Sequence, residues 1–189
     1  MVMTIETGDA GTDSRGMGTW LFGQGPAGNG IRPYPYSTDF GINPMTYNTI
    51  SDPSISQPHG IGSVWCTMLW DLTWGLIDAN DFDTDIYDGT GGNNTAMQIV
   101  TEGMKLQPCS PGFIDGRDAI LEADLILNGG ANDTIIWKAF AKRGLGYSAD
   151  QGSSSNRYDG REAFDLPIIT TKTTTTTTAE EGEQITYDI

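Results

Sequence analysis

The sequence predicts a mainly α-helical fold with long connecting loops. Apolar residues recur at intervals of three and four in separate stretches, which is the helical period. No stretch alternates apolar and polar residues over the length of a strand. The 25 glycines and nine prolines among 189 residues supply long irregular connections between the helical stretches.

Residues 1–5 are apolar and stop at "ETGDAGTDSRG", so they read as the last turn of a helix whose beginning is missing, and the chain looks truncated. Residues 23–58 show little periodicity and form a loop rich in glycine, proline and tyrosine, of a length associated with binding surfaces. Over residues 61–77, Ile61, Val64, Trp65, Met68, Leu69, Leu72 and Leu76 mark a central core helix. A second helix is expected to be capped by Asn93 or Asn94, to turn Met97, Val100 and Met104 inward and to end near Gln107, before Pro108. Ser110 as cap with Pro111 at the first helical position starts a third, lined by Phe113, Ile114, Ile120, Leu121 and Leu125 and stopped at Asn128-Gly129-Gly130. The fourth starts near Asn132, packs Ile136, Trp137 and Phe140, and places Lys142 and Arg143 where they complement the helix macrodipole. Beyond Pro167 the threonine-rich, acidic segment can bury almost nothing, which divides the chain into a lobe at 1–167 and a linker or tail at 168–189.

The formal net charge of −15 repels phosphate backbones and anionic lipid surfaces, so neither nucleic acid nor a membrane is an expected partner. No run approaches the roughly 20 apolar residues of a membrane span, and the first residues lack a signal peptide's basic start and apolar run.

Motifs for metal, nucleotide or serine chemistry are missing: the sequence holds no H-E-x-x-H, C-x-x-C, G-x-S-x-G or P-loop. The only histidine, His59, sits at the first turn of the core helix and points into the loop before it, where an extended substrate has room to lie; from its position alone a solvent-exposed or loop-bonded histidine is the stronger reading. Arg32, within "NGIRPYPYS", offers a fork of donors to a carbonyl or carboxylate, or else ties its own loop down. Asp81, Asp83 and Asp85 alternate as at the start of a calcium loop, although Ile86 and Gly92 stand where that loop needs glycine and glutamate; weak calcium binding competes with a plain solvated acidic loop. Asn93-Asn94-Thr95 and Asn132-Asp133-Thr134 fit the N-glycosylation pattern and also read as helix caps. Cys66 and Cys109 form either one tethering bridge or two buried thiols.

Three segments, "HGIGSVWCTMLWDLTWGLID", "GGNNTAMQIVTEGMKLQPCSPGFIDGRDAILEADLILNGG" and "IWKAFAKRGLG", together resemble the carboxy-terminal half of a fungalysin-type zinc metallopeptidase in its bacterial secreted form. The stretch "MKLQPCSPGFIDGRDAIL" is the most specific part of the likeness. The resemblance implies the helical carboxy-terminal lobe of a thermolysin-like plan and an extracellular protein. In such enzymes H-E-x-x-H and a glutamate in a Glu-Gly-Trp-Ser-Asp stretch bind zinc, and neither segment occurs in this chain. The complete enzyme is thus expected to need zinc, the chain alone is expected to bind none and to be inactive, and its partners would be the missing zinc-binding half and a peptide or protein substrate.

By the same resemblance His59 matches a histidine that donates to the oxyanion formed at the scissile carbonyl, a role that contributes about 3–4 kcal/mol. Arg32 matches an arginine that holds a substrate carbonyl. Asp52 is a candidate for orienting His59, and Tyr34, Tyr36 and Tyr47 for lining the substrate groove. Relatives often carry a cysteine near the start of the last helix, where this chain has Asp133-Thr134. A lobe of this kind is also expected to expose apolar surface near residues 1–5 and in the loop before His59. The competing reading is a non-catalytic peptide-binding or structural module.

Overall fold

The computed structural model describes residues 4–168, so all but the first residue of the expected tail at 168–189, like Met1 to Met3, lies outside the described residues. Four helices follow one another: α1 (His59–Asn80), α2 (Gly92–Leu106), α3 (Phe113–Asn128) and α4 (Asp133–Lys142). Among the described residues there is no strand, only isolated bridges such as Arg15 with Tyr36 and Asp150 with Arg161. The mainly helical expectation holds.

α1 is the central helix because it is apolar nearly all round, which suits a helix enclosed by others. One of its faces sends Val64, Met68, Leu72 and Leu76 into the main core with Ile99 of α2, Ile120 of α3 and Phe140 of α4. The opposite face sends Trp70, Trp74 and Ile77 into a second cluster closed by Ile5 and Tyr36 from the preceding loop. Each such aliphatic or aromatic side chain contributes about 1.5–3 kcal/mol on leaving water. Close approach sets the helix crossings. A Cβ at Gly92 would fall 2.1 Å from the Leu76 carbonyl oxygen, and one at Gly116 would fall 2.8 Å from the Trp65 ring, so α2 and α3 reach α1 only with glycine there.

A buried ion network joins α1, α4 and the long loop. Arg143 is fully enclosed, and its Nε donates to Asp71 of α1. The rest of the guanidinium donates to the carbonyls of Asn43 (2.6 Å), Met45 (3.1 Å) and Ser37 (2.8 Å). Lys142 reaches the other Asp71 oxygen and the Thr38 carbonyl, both at 2.6 Å. The expected complement to the helix dipole is therefore a smaller part of what these two cations do: they fix an irregular loop to two helices.

Several sequence expectations are corrected. α3 begins at Phe113, not Pro111, and Ser110 is exposed at φ 55° outside the helix. Its first N–H groups are met from a distance by Gln151, whose Oε1 accepts from Ile114 (2.8 Å) and Asp115 (3.1 Å). α2 is flanked by Gly91, and Asn93 and Asn94 lie inside its first turn, donating back to the carbonyls of Asp83 and Asp85 at 2.8 Å. Ala96, Ile99 and Gly103 form the buried stripe of α2, while Met104 is exposed, as is Leu125 on α3. Ile5 is buried rather than part of an exposed patch. Asn93 and Asn132, the acceptors of the two glycosylation patterns, are both buried, so neither is presented to a glycosylating enzyme. Cys66 and Cys109 are free thiols, the first half-buried and the second exposed, which removes the bridge.

Two enclosed tyrosines give the fold an alkaline limit. Burial, first, and the neighbouring Cys66 raise Tyr36 from 10.0 to about 12; burial, then Asp159 and Asp150, raise Tyr47 from 10.0 to about 12. Below pH 10.0 both hydroxyls are protonated whether the chain is folded or not, and their contribution is complete. Between pH 10.0 and about 12 the unfolded chain releases protons that the folded chain keeps, so stability falls as pH rises. We predict that denaturant unfolding across this window shows the fall, and that Tyr36→Phe with Tyr47→Phe flattens it; an unchanged slope in the double variant would reject the assignment.

Candidate active site

The site is built where the long loop delivers the chain into α1. His59 is the first residue of that helix, and its main chain is held rather than free. The Gly60 N–H donates to the Ser56 carbonyl (2.9 Å) and hydroxyl (3.1 Å), and the Ser63 hydroxyl donates to the His59 carbonyl (3.1 Å). The imidazole itself is exposed and meets no hydrogen-bond partner among the described residues. A rigid backbone with an uncommitted side chain suits a group that must donate to a visitor. Its position at a helix N-terminus also puts the positive end of the macrodipole beside any anion that forms there.

Arg32, far away in sequence, comes to the same point: its Nη1 donates to the His59 carbonyl at 3.4 Å. Its Nε is enclosed without a hydrogen-bond partner. Tyr36 is buried, 3% exposed, with its ring 5.9 Å from that of Trp70. Its hydroxyl feels the Arg32 charge, which opposes the effect of burial. Tyr36 is thus an enclosed neighbour of Arg32, whereas Tyr34, 37% exposed, lines a cleft of about 490 Å³ together with Met45, Thr46 and Asp52. Tyr47 is buried against Phe113, with ring centres 5.2 Å apart.

Asp52 is not joined to His59 by any hydrogen bond in the structure. Its carboxylate accepts from the Ser54 N–H at 2.8 Å, and the Ser54 hydroxyl and N–H, in that order, hold it below the usual carboxylate range. The side chain closes its own turn and borders the Tyr34 cleft. The structure therefore brings His59, Arg32 and Tyr36 together and sets Tyr34 with Asp52 in the neighbouring cleft.

Two of the acids of residues 81–88, Asp83 and Asp85, are turned onto their own loop. Asp83 accepts from the N–H groups of Asp85 (2.9 Å) and Thr90 (3.1 Å), and Asp85 from those of Tyr87 (3.0 Å) and Asp88 (3.1 Å). Among the described residues no group of three or more His, Cys, Asp or Glu is placed to hold a metal ion, and the sequence has one histidine. The described side chains do not fit a zinc site.

Sequence reasoning missed Gln151 and Arg157, both in the segment after α4. The guanidinium of Arg157 spans the turn that precedes His59, donating to the carbonyls of Ile50, Asp52 and Ile55. Its only legible signal was an arginine in a polar, glycine-bordered stretch, which fits any surface loop.

A mainly helical lobe of this order is that of the carboxy-terminal part of a thermolysin-like metallopeptidase. The chain belongs to the family described as "Fungalysin metallopeptidase (M36)", whose model matches residues 1–149. It is 46% identical over 164 residues to "Extracellular metalloproteinase MEP" of Neosartorya fischeri, covering 84% of this chain and 25% of the relative. It is 45% identical over 170 residues to "Extracellular metalloproteinase 2" of Phaeosphaeria nodorum, covering 86% of this chain and 25% of the relative. Against "Extracellular metalloproteinase 10" of Coccidioides posadasii the identity is 49% over 139 residues, covering 70% of this chain and 22% of the relative. These three organisms are fungi and lend nothing to the bacterial subtype that the sequence likeness suggested. The chain spans about a quarter of the length of the curated relatives it matches.

Proposed function

We propose that residues 1–167 act as the carboxy-terminal lobe of an extracellular, zinc-dependent metalloendopeptidase, and that His59 donates a hydrogen bond to the oxyanion that develops on the scissile carbonyl. Arg32 holds a neighbouring substrate carbonyl, Tyr36 is its enclosed neighbour, and Tyr34 and Asp52 border the groove that receives the peptide. The observation that carries this reading is the meeting of Arg32 with the His59 main chain at 3.4 Å while the imidazole stays uncommitted. On this reading the imidazole and the guanidinium act as two donors near the positive end of α1. Zinc and its ligands belong to the part of the relatives' length that this chain does not span, and the chain alone hydrolyses no peptide bond. The substrate is a peptide or protein, and the partner is the zinc-binding portion of the enzyme.

Arg32 provides the test. In the protein carrying the zinc-binding portion, Arg32→Ala is expected to lower kcat/KM by about 10- to 100-fold, as loss of a charged hydrogen bond to a carbonyl does. Arg32→Lys is expected to recover little, because an ammonium cannot span both His59 and a substrate. Measured kcat/KM equal to that of the parent in Arg32→Ala would remove Arg32 from the site. Peptide affinity with no turnover in the zinc-bearing protein would favour the non-catalytic module instead.

A further inference from the structure

We infer that Arg157 is the positioning residue that sets His59 in place, an inference that rests on the role of His59 proposed above. Its three kinds of nitrogen each take a different carbonyl of the turn that feeds α1. Nε donates to Ile50, Nη1 to Ile55 at 3.0 Å, and Nη2 to Asp52 at 2.6 Å. The Ser51 hydroxyl returns a bond to the Arg157 carbonyl at 3.1 Å, so turn and clamp hold each other. The Tyr158 ring, 5.6 Å from the guanidinium carbon, covers one side of the fork.

The clamp reaches His59 through a short, stiff path. Ile55 is buried and abuts the first turn of α1 so closely that a Cβ at Gly60 would lie 2.7 Å from its Cγ2. The next residue, Ser56, takes the Gly60 N–H on both its carbonyl and its hydroxyl. Gln57 and Pro58, which complete the link, are exposed. The place of the imidazole is therefore decided by where residues 50–56 sit, and Arg157 decides that. Only a planar fork serves three carbonyls in three directions, which a lysine cannot do.

His59 is the sole histidine of the chain, so its imidazole gives a single, unambiguous Cε1–Hε1 NMR signal. In Arg157→Gln that signal is expected to shift and broaden while the tryptophan signals of the core keep their places. In the zinc-bearing protein, the same variant is expected to lower kcat by about 10- to 100-fold, the size of effect that a 1 Å misplacement produces, with KM within about twofold of the parent. Arg157→Lys is expected to fall between the two. An unmoved imidazole signal with an unchanged kcat overturns the inference. So does a loss of kcat that follows the folded fraction alone in both variants, since that marks a purely structural residue. If His59→Ala proves as active as the parent, the proposed role of His59 fails separately, and the NMR signal still reports whether Arg157 sets the imidazole.

Discussion

His59→Ala, in the protein that carries the zinc-binding portion, is expected to lower kcat by about 100- to 1,000-fold while KM changes little. The reason lies in when the hydrogen bond matters. A ground-state carbonyl needs little from the imidazole, whereas the oxyanion that replaces it carries a charge beside a fixed donor. The structure supplies the fixity: Ser63 and Arg32 donate to the His59 carbonyl, Ser56 accepts from the N–H of the next residue, Gly60, and no described side chain competes for the His59 ring. His59→Gln, which keeps a donor of different reach, is expected to retain part of the activity. A variant with raised KM and unchanged kcat would instead mark His59 as a contributor to substrate binding alone.

The largest effect on stability is expected at Arg143. Arg143→Met removes a fully enclosed cation and leaves three carbonyls without their donor and Asp71 with Lys142 as its remaining cation. Breaking a buried pair from one side costs up to about 3–5 kcal/mol, and although Lys142 still pairs with Asp71, three buried carbonyls lose their donor. For a chain of this size that corresponds to a fall in Tm of about 10 °C or more, read by circular dichroism or calorimetry. Arg143→Lys keeps the charge but not the fork, and is expected to lose a smaller amount. Combining Arg143→Met with Asp71→Leu is expected to restore part of the loss, since both charges then leave together. A single variant that melts with the parent would show that the loop is held by its other contacts.

How far the molecule was legible differs from element to element. The helices announced themselves through the spacing of Val64, Met68, Leu72 and Leu76 and through Ile136 and Phe140, because burial against neighbours imposes that spacing. Their starts were less legible, because the groups that satisfy the first N–H donors of α3 come from Gln151, a residue that only the fold brings near. Asn93 and Asn94 misled for a related reason: good capping residues were used to tie down the acidic loop instead. Asp71, a lone carboxylate inside "MLWDLTW", was not singled out, because nothing local said that its partner was Arg143. At the site, His59 and Arg32 stood out by residue type, and their meeting is a product of the loop's return to α1. The sequence pattern did not show that Tyr36 is enclosed, that Asp52 closes its own turn, or that Arg157 clamps the approach to His59.

Affinity for a tetrahedral analogue tests the central claim most directly. A peptide whose scissile carbonyl is replaced by a phosphonate presents the oxyanion permanently, and a matching uncleaved amide presents only the ground state. Inhibition constants of both would be measured on the parent and on His59→Ala in the zinc-bearing protein. Equal weakening of the two ligands, or no weakening of either, would contradict the role given to His59. The account predicts that the variant loses about 100-fold or more of its affinity for the phosphonate while binding the amide as the parent does.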